Sequence, residues 1–272
     1  MKKNYLLVPI LFFFASCSNG DDDINQNENN NGNTPVLVTK IVSGGETATI
    51  SYDGTKITEI KYTGGDTRKY IYTGNLITQI TDTEGGSVLE TAVLTYDTSS
   101  RLSKQVINHT GSSTYTTTIN YTYITNNNVK IVETTVNPSY SYTKTHTRDA
   151  LLNTDNSLKG WTATVTETQP SGTNTGTGTL IGVAYDSSNS PFKNVTGYQK
   201  IIDAEGMTGS THNLVNYSDK VGFTNGDWET TIFSSTFEYN SSDYPTKETK
   251  KYKDQNGTLY STEITTYEYN HL

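Results

Sequence analysis

Tyr115-Thr116-Thr117-Thr118-Ile119-Asn120-Tyr121-Thr122-Tyr123-Ile124 is the stretch whose reading decides the fold. Side chains of a β-strand alternate between two faces. Tyr115, Thr117, Ile119, Tyr121 and Tyr123 therefore share one side, and Thr116, Thr118, Asn120 and Thr122 the other. One face is aromatic and aliphatic, the other hydroxylic. The same period of two returns at Trp161, Ala163 and Val165, at Thr231, Phe233, Ser235, Phe237 and Tyr239, and at Thr265, Tyr267 and Tyr269. No stretch beyond residue 17 carries sustained helical periodicity.

Turn chemistry separates these strands: Asp53-Gly54, Gly64-Gly65-Asp66, Gly74-Asn75, Gly85-Gly86, Thr110-Gly111, Asn126 to Asn128 and Asn256-Gly257 can all supply the positive φ that tight hairpins need. A unit recurs, made of an aromatic, a turn and an aliphatic that opens the next strand. It is seen in Tyr52-Asp53-Gly54 before Ile57, Tyr72-Thr73-Gly74-Asn75 before Leu76, and Tyr96-Asp97 before Leu102. Repetition of this kind predicts a meander of hairpins. The segment Tyr96-Asp97-Thr98-Ser99-Ser100-Arg101-Leu102, closing at Gly111, resembles one YD repeat of RHS and teneurin shells, with Ser100 where that family prefers Gly. The other units keep the Tyr and the aliphatic but lack the Arg.

Composition agrees with thin, wetted β layers. Only 32% of the 272 residues are hydrophobic, yet 20 are Tyr, and Tyr, Thr, Val and Ile suit half-buried pleated surfaces and not unfolded chains. The formal charge is −8, and losing Lys2 and Lys3 with a leader takes it to −10, which excludes a nucleic-acid backbone as the natural partner. Cys17 is the single cysteine, so no internal disulfide can form, and stability must come from pairing and packing.

The first residues read as an export signal. Lys2 and Lys3 precede an apolar run from Leu6 to Phe14, too short to span a bilayer, and Phe14-Ala15-Ser16-Cys17 resembles a lipobox with Phe14 where Leu is commoner. On this reading residues 1–16 are removed, Cys17 is acylated, and the lipid holds the protein on a membrane without a transmembrane segment. Ser18-Asn19-Gly20-Asp21-Asp22-Asp23 looks like the acidic signal that carries Bacteroidetes lipoproteins to the cell surface. The plainer reading of the aspartates is a solvated linker. From Ile24 to Thr34 the chain is nearly all Asn, Gln, Glu and Gly, so residues 17–34 form a flexible tether, and a single β domain is expected over 35–272.

Between Gln169 and Gly226 the rhythm weakens, so longer loops are expected around 170–226, with Gly172 to Gly178 as a loose hairpin tip. Pro191-Phe192 there is either a plug for a sheet opening or a turn before an ordinary core aromatic, and the second reading is the simpler. A domain of roughly 235 residues, at about ten per strand, has room for about 14 to 18 strands.

Three places carry a wider resemblance: the early Tyr/Gly hairpins, the block Tyr185-Asp186-Ser187-Ser188-Asn189-Ser190-Pro191-Phe192-Lys193-Asn194-Val195, and Phe237-Glu238-Tyr239-Asn240-Ser241-Ser242-Asp243-Tyr244-Pro245-Thr246-Lys247. Over about residues 36–272 the chain is similar to uncharacterised Bacteroidetes lipoproteins of the DUF4595 kind, described as having a porin-like fold. The resemblance implies a large, strongly curved antiparallel sheet, all-β, and brings no activity with it. Closure would remove unpaired edges. The faces opposite the Tyr and Ile residues carry Thr, Lys, Glu and Gln and not an apolar lipid-facing band, which predicts a soluble barrel or half-barrel, tethered and not inserted.

The sequence shows no catalytic constellation. His109, His146, His212 and His271 lie far apart and at no zinc spacing, and the contiguous aspartates at 21–23 do not make a calcium loop. There is no nucleophile elbow and no phosphate loop before a helix, so no metal or cofactor is assigned. Asp203 and Glu205 share a strand face, although a glycosidase needs its carboxyls across a cleft. The tyrosine stripe fills ordinary cross-strand pairs more readily than it makes a binding surface. Trp161 and Trp228, set among polar neighbours, are the aromatics expected to stand exposed and contact a ligand. The favoured reading is a non-enzymatic binding or interaction module, lipid-anchored in the outer membrane and surface-exposed, for a glycan or protein ligand. Behind it stand a structural envelope component working through a protein partner, and a hydrolase with a carboxylate site.

Overall fold

The computed structural model describes residues 34–271 except 112, 203–209, 225 and 227, and gives the backbone alone for Trp228. Cys17 and the tether lie outside the described residues, as do Asp203 and Glu205.

Sixteen strands follow in order. They are β1 (Val38–Ser43), β2 (Glu46–Asp53), β3 (Lys56–Tyr62), β4 (Thr67–Thr73), β5 (Leu76–Glu84), β6 (Ser87–Tyr96), β7 (Leu102–His109) and β8 (Tyr115–Tyr123). Then come β9 (Asn128–Asn137), β10 (Tyr142–Leu152), β11 (Leu158–Gln169), β12 (Gly172–Tyr185), β13 (Leu214–Phe223), β14 (Trp228–Tyr239), β15 (Pro245–Lys253) and β16 (Leu259–Tyr269). Each pairs antiparallel with its sequence neighbour, and β1 pairs with β16 from Val38↔Tyr269 to Ser43↔Thr265, so the sheet closes into a barrel. The strongly curved antiparallel meander expected from the sequence is what forms, and of the open and closed alternatives it takes the closed one.

The period of two sorts side chains between lumen and outside. On β11, Trp161, Ala163 and Val165 are buried while Thr162, Thr164, Thr166 and Thr168 are exposed. These threonines face Thr179, Thr177, Thr175 and Thr173 of β12 in a hydroxylic ladder on the outer surface.

The recurring sequence unit builds one rim of the barrel. Each unit pairs a residue at or next to the end of one strand with one at or next to the start of the following strand: Tyr52↔Ile57, Tyr72↔Ile77, Tyr96↔Leu102, Tyr123↔Val129 and Leu152↔Leu158. Tyr185↔Leu214, Tyr239↔Pro245 and, across the closure, Tyr269↔Val38 complete the ring. Val38, Ile57, Ile77, Leu102 and Val129 are each 0% exposed. Most units carry a register shift at the aromatic, the kind of bulge that bends strands at barrel rims. The ring is then laced. Tyr52 donates its hydroxyl to the carbonyl of Val38 at 2.7 Å, Tyr96 to Ile77 at 2.8 Å and Tyr123 to Leu102 at 3.1 Å. Tyr185 donates to Leu158 at 3.0 Å and Tyr269 to Pro245 at 2.8 Å, always to the aliphatic of the preceding unit.

Three turns at this rim share one design. Asp97 Oδ1 accepts the N–H groups of Ser99 and Arg101, and Asn240 Oδ1 those of Ser242 and Tyr244. The fourth position adopts a left-handed φ: 57° at Ser100, 67° at Asn156, 60° at Asp243. That conformation is why glycine suits the place and why the small polar residues here tolerate it.

Two expectations for residues 169–226 are corrected. The hairpin tip falls at Pro170-Ser171, before the glycines, which lie within β12 (Gly172–Tyr185) as strand. The glycines make room: a Cβ on Gly176 would lie 2.5 Å from the Gly222 carbonyl, and one on Gly178 3.0 Å from the Trp161 ring. The true loop runs between β12 and β13, and its residues 190–202 plug the lumen at the tyrosine rim. Phe192 stacks on Tyr198 at 4.5 Å, and Val195 is buried with Ile50, Ile57 and Ile77. Ile202 joins the opposite wall beside Tyr121, whose hydroxyl donates to its carbonyl at 3.0 Å. Thr196 N–H bonds the Thr55 carbonyl, and Gly197, at φ 78°, presses against Asn75. Phe192 is thus part of a plug and not only a core aromatic.

Candidate functional site

Above the plug the lumen turns polar. Toward the rim formed by the turns at Gly44-Gly45, Gly64-Gly65 and Gly85-Gly86, inward-facing charges pair across strands. Arg68 is bidentate to Asp82 (2.7 and 2.9 Å) and Arg148 meets Glu133 at 2.8 Å. Lys144 approaches Glu167 at 3.6 Å, and His109 Nε2 lies against the Glu90 carboxylate. Lys250 sits 3.8 Å from Glu248 and 3.7 Å from Glu263. Glu248 also accepts the hydroxyls of Ser235 (2.8 Å) and Tyr267 (2.6 Å).

Between plug and ionic rim lies a cavity of about 230 Å³, lined by Ile41, Ser43, Glu46, Ala48, Ile60, Tyr62, Arg68, Tyr70, Phe192 and Tyr198. Strand alternation positions its walls: Arg68, Tyr70 and Tyr72 share the inner face of β4, and Ile60 and Tyr62 that of β3. The plug supplies the floor. Burial would lower the Arg68 pKa, but its bonds to Asp82 and the nearby Tyr70 and Tyr62 hold it well above the usual value. Burial, then the charge of Asp66, raises the Glu46 carboxyl. A volume below that of most drug-sized pockets suits a small ligand.

A second buried cluster stands on β10, β11 and β13. Trp161 is only 5% exposed, edge-on to His146 (centroids 5.5 Å apart, 86°) and beneath the Arg148 guanidinium at 5.6 Å. The exposure expected of Trp161 is therefore corrected. Its polar sequence neighbours Gly160 and Thr162 misled, because Thr162 lies on the opposite face of the sheet. Burial, reinforced by Arg148 and Lys144, pushes His146 down to about 3, so its ring is neutral. Asp219 is pushed up to about 6, mainly by burial, with Arg148 opposing. Both His146 Nε2 and Asp219 Oδ1 are buried without a hydrogen-bond partner among the described residues. Trp228 opens β14 opposite Gly222. Trp161, being buried, is part of no surface patch.

Glu46, Tyr62, Arg68 and Tyr70 were not singled out by sequence. The signal available was an arginine on the aromatic face of a strand, two residues before Tyr70, beside the Gly64-Gly65 turn. Among the described residues, no three of His, Cys, Asp and Glu gather as a metal site would require.

The barrel resembles the crystal structure of a porin-like protein from Bacteroides vulgatus, with a TM-score of 0.52 at 14% identity, covering 88% of this chain and 100% of that one. A porin-like protein from Bacteroides uniformis also matches, with a TM-score of 0.36 at 13% identity over 83% of this chain and 77% of that one. The first likeness places the chain in the porin-like fold, as an all-β antiparallel closed barrel of sixteen strands. No family model matches the sequence, and no curated protein does.

Proposed function

We propose that this protein is a non-enzymatic binding module of the outer membrane surface, of the DUF4595 kind, anchored through acylated Cys17 and carried as a barrel outside the bilayer, with its ligand held in the lumen. The observation that carries this reading is the cavity of about 230 Å³ above the plug, floored by Phe192 and Tyr198. The outer face supports the non-inserted state. It carries exposed threonine ladders on β11 and β12, and its exposed aliphatics fall at different heights, with Val136 toward the ionic rim and Leu151 and Ile181 toward the tyrosine rim. A spanning barrel needs a continuous apolar band. Catalysis has weak support, because the carboxylates of Glu248 and Glu263, which share Lys250, are taken up by Ser235, Tyr267 and Ser43. The chain leaves the barrel at the tyrosine rim, where Leu37 N–H bonds Asn270 Oδ1 at 2.9 Å, so a tether there would present the ionic rim away from the membrane.

Two measurements test this. After a carbonate wash, the Cys17→Ala protein should leave the membrane fraction while the unaltered protein stays; retention of both would mean that the barrel itself is inserted. A thermal-shift screen of the full chain against glycans, peptidoglycan fragments, haem, bile salts and lipids should give a saturable shift that Tyr70→Ala abolishes. A flat screen on a cooperatively melting protein would favour a structural role through a protein partner.

A further inference from the structure

We infer that the cavity above the plug takes a small organic cation, an amine or quaternary ammonium with an apolar body, held over aromatic rings with Glu46 as its counter-ion; this rests on the lumen being a binding site. Only two charged side chains line the cavity, Arg68 and Glu46. Arg68 is matched within the protein, since its Nε and Nη2 both donate to Asp82. Glu46 has no side-chain hydrogen bond or ion pair among the described residues, so it is the one charge in the wall left for a ligand to neutralise. Ser43, the remaining non-aromatic polar residue of the lining, is committed to the wall behind it, donating to Glu263 at 2.5 Å and lying 2.9 Å from Thr265 Oγ1.

An anion entering here would meet Glu46, with Asp66 and Glu263 nearby, and no unmatched cation. A soft cation finds what it needs: Tyr62, Tyr70, Phe192 and Tyr198 place four aromatic rings in the wall, and π-systems attract weakly hydrated cations. The cavity's size admits a ligand of choline's bulk. A bare metal ion is a poorer candidate, because no trio of ligating side chains gathers among the described residues.

The test compares three molecules of nearly one shape and different charge, by calorimetric titration of the full chain: choline, neutral 3,3-dimethylbutan-1-ol and anionic 3,3-dimethylbutanoate. Choline should bind about tenfold or more tighter than the alcohol, and the anion more weakly than either. Glu46→Gln should remove choline's advantage and leave the alcohol's affinity unchanged; a far-UV spectrum and melting curve matching the parent's would show that the variant folds. Phe192→Leu should weaken choline while keeping the charge order. Equal affinity for choline and alcohol, preference for the anion, or an unaltered preference in Glu46→Gln would each overturn the inference. If none of the three binds while a glycan or lipid from the broader screen still saturates in a Tyr70-dependent way, the cation assignment falls and the lumen reading stands. If nothing binds, both fall.

Discussion

At the tyrosine rim, Ile57, Ile77, Leu102 and Val129 have no exposed surface and every unit but Leu152↔Leu158 contributes the same kind of pair. At the ionic rim, neighbouring strands contribute different groups: Arg68 on β4, Asp82 on β5, Glu90 on β6, His109 on β7, Glu133 on β9. The first end repeats because one contact, an aliphatic under an aromatic whose hydroxyl ties it to the preceding unit, can be made again around a ring. The second cannot repeat, because a ring of identical charges would repel itself. Repetition therefore holds the barrel together, and its interruption is where selectivity for a ligand can reside.

The largest effect expected from breaking this contrast is at the repeated end. Leu102→Ala should cost about 2–5 kcal/mol, read from the urea midpoint, because the plug and the laced tyrosines leave little room for collapse. Next come the buried titrating groups of the polar half. Asp219 is raised, so folding favours its protonated form, and its contribution is fully present below the ordinary carboxylate range and lost as pH climbs to about 6. His146 is depressed, so its contribution is present above about pH 6.5 and lost as pH falls toward 3. Between pH 4 and 6 the two slopes oppose. Asp219→Asn should leave stability rising with pH across that window and His146→Gln leave it falling, each by on the order of 2 kcal/mol in denaturant titrations run at several pH values. Parallel curves for both variants would show that these groups do not set the balance.

A smaller effect is expected from Tyr96→Phe, which removes the hydroxyl bound to the Ile77 carbonyl and keeps the ring. About 1 kcal/mol should be lost, checked by the shift of the same midpoint. Smallest of all is Thr164→Ser on the outer ladder, which should fall within about 0.5 kcal/mol of the parent. A much larger loss there would show that the outer face is packed against something.

The alternation at Tyr115 to Tyr123 made the sheet legible, and the Tyr52, Tyr72 and Tyr96 units made the hairpins legible, because both patterns are local. Closure was not, since it depends on strand tilt summed over every pair, and one sequence says little about that sum. The strands over Gly172 to Gly182 were hidden for a different reason: glycine weakens strand propensity, yet here it is demanded by the Trp161 ring and the Gly222 carbonyl, neighbours remote in sequence. Trp161 was misplaced because hydrophilic neighbours along a strand report on the other face. The cavity was illegible because its floor, Phe192 and Tyr198, comes from a loop some 120 residues after its wall at Tyr70.

The seam between β1 and β16 is one more copy of the repeating unit, assembled from residues as far apart as Leu37 and Asn270, 233 positions. Every other unit can form from a hairpin as soon as its own strands exist, whereas this one waits for the whole ring, which puts the slowest search of folding at a single joint. Geometrically, however, the joint is like the other seven. A circular permutant opened in the Gly85-Gly86 turn, with the present ends linked beside Asn270, would keep every pair of the ring and move that late step to a different place on the barrel.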